Sequence, residues 1–487
     1  MGRPLRNLAA AKRFAFFAVL CYDERQFLRR VRWNQGVLHM EQNLTSGSVF
    51  RNILRFSLPY LLSYFLQTLY GMADLFIIGQ FCGVEATTAV SIGSQVMHML
   101  TVMLVGLAMG ATVSIAQAVG AGDLRRAGTS IGNTVTLFMS LSLVLMAGLL
   151  CCADAIVRLM ATPEAAAPGA RAYLLICFAG IPFITAYNII SSIFRGLGDS
   201  KTPMYFIAAA CAANIALDYL FIGAMGLGPA GAALGTTLAQ ALSVALSLAV
   251  ILRRKSGLAL CRRDFRPEKA VMQKLLSIGL PVMLQDGFIQ VSFLIITVIA
   301  NGRGLTDAAA VGIVEKIMSF MFLLPSSMLS TVSALGAQNL GAGKPERAKK
   351  TLWYAIAIAT GAGLLIALVM QWLAAGMVGL FTPDALVALA GGTYLRGYIW
   401  DSCFGGVQFS FSGYFCAKGK SGLSFLHNFL SIVLVRVPGA FLASKYFPQT
   451  LFPMGCASAA GSLLSVVVCV ICYVLLSRRE ARACAQT

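Results

Sequence analysis

The chain is an internal duplication of an apolar unit, and that constrains its fold more than any single residue does. Leu54-Arg-Phe-Ser-Leu-Pro59-Tyr-Leu-Leu62 returns as Leu276-Ser-Ile-Gly-Leu-Pro281-Val-Met-Leu284. Gln117-Ala-Val-Gly-Ala-Gly122 returns as Gln338-Asn-Leu-Gly-Ala-Gly343, and the stretch from Phe194 to Lys201 returns as that from Phe415 to Gly422. The separations are 222, 221 and 221 residues, so one unit is present twice. Two homologous membrane halves are a recurring design of secondary transporters, with the substrate path between them.

Composition supports a membrane setting. Hydrophobic residues make up 58% of the 487 and charged residues 12%, where a soluble domain carries about 25% charged residues. Twelve apolar segments are long enough to span as helices: 56–80, 90–117, 129–152, 170–194, 204–224, 230–252, 276–300, 308–337, 351–373, 393–416, 423–446 and 455–477. Period-2 alternation is absent, which argues against a barrel. The expectation is therefore an all-α integral membrane protein with twelve transmembrane helices in two homologous six-helix bundles.

The net charge of +19 follows topology. One set of loops holds Arg125, Arg126, Arg195, Lys201, the stretch from Arg253 to Lys274, Lys344 to Lys350, Lys418, Lys420 and the tail arginines. The other set holds only Arg158, Arg171, Arg303, Arg396 and Lys445. The positive-inside rule puts the first set and both termini in the cytoplasm of a multi-pass inner-membrane protein. Nucleic acid is not an expected partner; the bilayer is. The expected organisation is a basic extension over 1–45, a six-helix bundle over 46–252, a linker over 253–274, a second bundle over 275–477 and a tail over 478–487. The extension has no counterpart in the second half, and Met40 reads as the native start.

The 13 cysteines show no disulfide framework, and the Cys469/Cys472 pair has no partner pair to complete a zinc set. His39, His98 and His427 are isolated. No nucleophile motif and no phosphate-loop lysine follows the Gly-Ala-Gly turns, so the chain is not read as an enzyme and no cofactor is expected.

Ionisable groups inside spans are costly and mark function by default. The first half offers Asp74, then Asn214 and Asp218 four residues apart on one helix face, then Thr236 and Thr237. These are hard oxygen donors, able to hold Na⁺ or to share a proton. The plain alternative is that Asp74 and Asp218 cap broken helices or lie near the interface. The second half offers Gln285, Asp286, Glu315, Asp401 and Arg436. Arg436 needs an acidic or carbonyl partner. Pro59 sits inside the first span, where a proline permits a bend usable for gating.

Taken in order, Pro59, the run Gln67-Thr-Leu-Tyr-Gly-Met-Ala-Asp74, the turn at Gly120, the stretch from Phe194 to Pro203 and the run Gly336 to Gly343 resemble the multidrug and toxic compound extrusion (MATE) transporters, from about Leu44 to Ser477. The resemblance implies two bundles facing each other in a V, a monomer, and export of small organic, cationic, amphipathic compounds driven by inward flow of Na⁺ or H⁺. It implies cation coupling at Asp74, Asn214, Asp218 and Thr236. Gln67 and Asn188 match polar positions of the same cavity, and Gln285, Asp286 and Gln290 are the cavity candidates of the second half. Gln290 stands nearest to the place where some members carry a Glu, so coupling is assigned to the first bundle. A lipid-linked saccharide flippase of the same superfamily is the runner-up, disfavoured because its anionic pyrophosphate calls for more basic groups in the spans.

Overall fold

The computed structural model describes residues 44–253 and 260–486, and the described residues form helices joined by short turns, without strands. The expected start at Met40 lies outside the described residues. The first half comprises α1 (Val49–Phe81), α2 (Val84–Gly120), α3 (Leu124–Leu159), α4 (Ala167–Ala179), α5 (Ile181–Gly196), α6 (Lys201–Asp218) and α7 (Gly228–Arg253). The second half comprises α8 (Lys269–Asn301), α9 (Leu305–Met321), α10 (Leu323–Gly341), α11 (Pro345–Gly379), α12 (Ala385–Tyr398), α13 (Asp401–Ala417), α14 (Gly422–Ser431), α15 (Val437–Tyr446) and α16 (Phe452–Gln486).

Several spans are composite. Ten are long and apolar enough to cross a membrane, counting α9 with α10, and α14 with α15, as single spans. An eleventh is α4 with α5, bent by 48°. α12 and α13, of 14 and 17 residues, stand at the place of the remaining expected span and are interrupted at Ile399 and Trp400. The break inside 170–194 falls at Gly180, where Pro182 opens the next helix at a position that needs no N–H donor. The fifth span of each half is distorted alike, by a π turn at Tyr219–Ala224 and another at Ile432–Arg436. Hydropathy windows see none of these breaks, because they leave the apolar composition unchanged.

The duplicated motifs are helix endings. Gly122, Gly198, Gly343 and Gly419 have φ of 73°, 92°, 70° and 68°, a region that favours glycine. After each, the next residue's N–H bonds back to a carbonyl of the last turn: Asp123 to Ala118, Asp199 to Phe194, Lys344 to Asn339 and Lys420 to Phe415. These are Schellman endings, which satisfy carbonyls that a helix terminus leaves free. Asp123 then accepts from Arg126 N–H at 2.9 Å and starts α3.

All four turns lie at the end of the molecule that carries the basic loops, here called the basic end. The two halves meet there. Adding a Cβ at Gly110 would bring it to 2.1 Å from Leu275 O, and one at Gly279 to 2.2 Å from Leu107 O, so α2 and α8 cross backbone to backbone. Met109, Val113 and Ala116 of α2 share a core with Ile278, Val282, Leu329 and Cys416. The segment before α1 also reaches across: Leu44 is buried beside Leu335 and Leu352, and Lys344 and Arg347 donate to the carbonyls of Thr45, Ser46 and Gly47.

The segment between the halves is docked where it is described. Asn133 Nδ2 donates to Asp264 O, Asn133 Oδ1 accepts from Glu268 N–H at 2.7 Å, and Thr136 donates to Phe265 O. The second bundle's first helix thus begins at Lys269, within the stretch expected to be linker.

On α1, Phe50, Leu54, Leu58, Leu62, Phe65, Leu69, Met72 and Phe76 form an exposed apolar stripe along the helix. The opposite face, with Ile53, Phe56, Tyr60, Ser63, Asp74, Ile77 and Ile78, is buried. Pro59 lies within α1, which is continuous across it; Ser63 Oγ donates to the Pro59 carbonyl at 2.9 Å.

Candidate ion site and central cavity

The first half gathers its acids at one point. Asp74 comes from α1, Asn214 and Asp218 from the last turns of α6, and Thr236 from α7. Thr236 Oγ1 donates to Asp74 Oδ2 at 3.0 Å and accepts from Asn214 Nδ2 at 3.4 Å. Asp218 joins them through its neighbours: it lies on the same face of α6 as Asn214, and its Oδ1 sits against Gly235, next to Thr236. Asp74, Asn214 and Asp218 are all buried, and Thr236 is half-buried.

Two local features bring them together. The π turn begins directly after Asp218, and such widened turns are frequent at functional sites. Gly235 makes room on α7, since a Cβ there would sit 2.2 Å from Asp218 Oδ1. Gly235 was not singled out from the sequence. A glycine carries no chemistry of its own, and its one sequence signal is that it precedes Thr236.

The electrostatics are unbalanced. Asp74 Oδ1, Asn214 Oδ1 and both carboxylate oxygens of Asp218 are buried without a hydrogen-bond donor. Leaving such an acceptor unsatisfied costs about 1–3 kcal/mol, more if charged. Among the described residues no group of three or more His, Cys, Asp or Glu side chains is placed to hold a metal. The cluster has two acids supplemented by an amide and a hydroxyl, a donor set of hard oxygens suited to a monovalent cation or a shared proton.

The second half has a different interior. Arg436 Nη2 lies 2.7 Å from the Tyr398 hydroxyl and 3.2 Å from Asp401 Oδ2, both buried. Its guanidinium stacks 5.1 Å from the Phe293 ring centre. Glu315 accepts from Thr297 at 3.4 Å. Asp401 thus has a tethered cation, which neither Asp74 nor Asp218 has.

The cavity candidates separate. Gln67 of α1 is half-buried, and the buried Asn188 of α5 donates its amide to Ile184 O at 2.9 Å. Asp286 is half-buried on α8 against α2, near enough to Gly106 that a Cβ there would be 2.8 Å from its Oδ2. Gln290 is half-buried one turn further along α8. Gln285 is fully buried on the Ile278–Val282 face, with neither amide atom partnered. Near the seam, Arg195 of α5 lies 5.1 Å over the Tyr60 ring, and Tyr60 accepts from Ser330 of α10 at 2.9 Å. His427, isolated in the sequence, bridges Ser412 and Ser465 within the second bundle.

Comparison with known proteins gives this geometry a family context. The MatE family profile matches residues 59–220 and again 281–442. The chain is 28% identical over 408 residues to "Probable multidrug resistance protein YpnP" of Bacillus subtilis, covering 84% of this chain and 91% of that one. It is also 28% identical over 413 residues to "Probable multidrug resistance protein YoeA" of the same organism, covering 83% and 89%. Among solved structures, the outward-facing conformation of a multidrug resistance MATE family transporter of the MOP superfamily superposes with a TM-score of 0.83 at 22% identity, over 91% of this chain and 98% of that one.

Proposed function

The chain belongs to the MatE family of membrane transporters, and from that premise we propose that it is a cation-coupled antiporter exporting small organic, cationic and amphipathic compounds. The observation that carries the coupling is the set of four buried, donor-less oxygens on Asp74, Asn214 and Asp218. Two neighbouring buried carboxyls are stable only when a proton or a cation lies between them. Loading that position removes negative charge from the first bundle; emptying it restores the charge. A bound organic cation benefits from the same negative charge, so ion and drug weaken one another by equal factors, as linkage requires.

The basic end is cytoplasmic in this reading, by the charge of its loops. Hydrogen bonds from Lys344, Arg347 and Ser330 hold the seam closed there, the arrangement expected of a state shut to the cytoplasm. The half-buried Asp286 and Gln290 of α8 and Gln67 of α1 line the path between the bundles. Asp286 supplies a carboxylate for a cationic substrate. The names of the Bacillus relatives support the drug class, and the chain's 20 methionines suit a broad apolar cavity.

The test is export of a fluorescent organic cation from proteoliposomes under an imposed Na⁺ gradient, then a proton gradient. One gradient drives export in the wild type, and Asp74→Asn reduces it to the protein-free rate while the protein stays folded. Export by folded Asp74→Asn at the wild-type rate overturns the site. No export of any cation under either gradient overturns the substrate class.

A further inference from the structure

The duplicated Gln-x-x-Gly-Ala-Gly motif does more than end a helix. Gln117, in the last turn of α2, points its amide out of its own bundle, and Nε2 donates to the carbonyl of Ala417 at 2.8 Å. Gln338, in the last turn of α10, does the same in reverse, with Nε2 donating to the carbonyl of Gly196 at 2.9 Å. The donors are 221 residues apart, and so are the acceptors. Gly196 and Ala417 are the final residues of α5 and α13, so each glutamine caps a helix of the opposite half at a carbonyl that has no intrahelical donor.

The backbones repeat the exchange. A Cβ on Gly120 would lie 2.0 Å from Gln338 O, and one on Gly341 would lie 2.1 Å from Gln117 O. Both glycines admit direct contact between the two helix ends, and no larger residue fits at either. Gln117 Oε1 accepts in addition from Lys274 Nζ at 2.7 Å, at the start of α8. Gln338 is fully buried, with its Oε1 unpartnered, so its single bond across the seam is the one that fixes its amide.

We infer that Gln117 and Gln338 are a reciprocal latch holding the basic end shut, and that breaking both cross-bundle bonds is the step that lets this end open. The inference rests on the alternating-access reading, though not on the identity of ion or drug. Neutral hydrogen bonds suit the task. Each contributes modestly net of water, so the pair biases the closed state without locking it. Once the ends separate, water takes over the bared carbonyls of Gly196 and Ala417.

The experiment is hydrogen–deuterium exchange on the ligand-free protein in nanodiscs, read at the ends of α2 and α10. The variants are Gln117→Leu, Gln338→Leu and the double, with Gln408→Leu as a control, since Gln408 donates to Ser462 wholly inside the second bundle. Each single variant is expected to speed exchange at both helix ends, and the double by about thirtyfold, the worth of two ordinary net hydrogen bonds. Gln408→Leu leaves these ends at the wild-type rate. Exchange in the double variant within twofold of wild type overturns the latch. An equal rise in Gln408→Leu overturns it as well, because the effect is then general loosening. Where a leucine variant fails to fold, Gln117→Asn with Gln338→Asn shortens each reach while keeping polarity, and the same increase is required. This readout needs no transport, so failure of the latch and failure of the antiport assignment are separable.

Discussion

At the residue scale, the ion site depends on what is missing beside it. Asp218 keeps its place because Gly235 has no side chain. In Gly235→Ala the new methyl and the carboxylate oxygen cannot both occupy the space, so the carboxyl swings away from Asp74. The overlap costs about 1–3 kcal/mol of stability. The decisive readout is ligand-dependent: the rise in unfolding temperature that the coupling ion gives the wild type should vanish in Gly235→Ala, and gradient-driven export should fall with it. Retention of the full ion-induced shift would show that Asp218 is not a ligand. The acids themselves were legible in the sequence, because a carboxylate in an apolar helix stands out against its surroundings and the four-residue spacing of Asn214 and Asp218 fixes a common face. Gly235 was not, because its contribution is a space defined by another helix. Gln117 and Gln338 were visible as a repeat but not as a contact, since their acceptors are backbone carbonyls, which any residue supplies.

At the element scale, the fifth span of each half carries a π turn, but the two turns serve different chemistry. The one after Asp218 borders unpaired oxygens; the one ending at Arg436 places a guanidinium between α12, α13 and α8. Arg436 therefore ties elements together. Arg436→Met leaves Asp401 buried without its cation and is expected to cost about 3–5 kcal/mol, whereas adding Asp401→Asn removes the stranded charge and recovers a large part of the loss. Thermal unfolding in detergent checks this, and additive losses in the double variant would mean that the two side chains act separately. Sequence reading recorded Asp401 and Arg436 but not their pairing, because they are 35 residues apart on elements whose relative turn depends on the break at Ile399 and Trp400. The same limit hid the bend at Gly180. Turn motifs, by contrast, are local, and the four glycine endings follow directly from their residues.

At the scale of the whole molecule, duplication has kept the framework and let the interior diverge. The turns, the reciprocal glutamines and the π distortions recur in both halves, while the adjoining Asp74, Asn214 and Asp218 lie in one half and the arginine in the other. A molecule built this way can rock as two similar bodies although, on the proposed coupling, only one of them senses the ion. The exposed apolar stripe of α1 adds a constraint from outside the protein. Asp74 lies on the buried face of this helix, and the stripe from Phe50 to Phe76 is exposed apart from ring contacts of Phe50 with Tyr354 and of Phe65 with Phe320. Past Arg51 and Arg55, the apolar part of α1 from Phe56 to Phe81 spans about 39 Å at 1.5 Å per residue, longer than a hydrocarbon layer of about 30 Å. Such a helix must tilt, or the bilayer must thicken around it, at a fraction of a kcal/mol for each ångström of mismatch. Export measured in short-, medium- and long-chain phosphatidylcholine vesicles should therefore change with acyl length at constant ion gradient. An identical rate in all three would show that α1 is indifferent to thickness. On the proposed antiport, the lipid then acts as a mechanical load on the helix that carries Asp74, and membrane thickness becomes a control on transport.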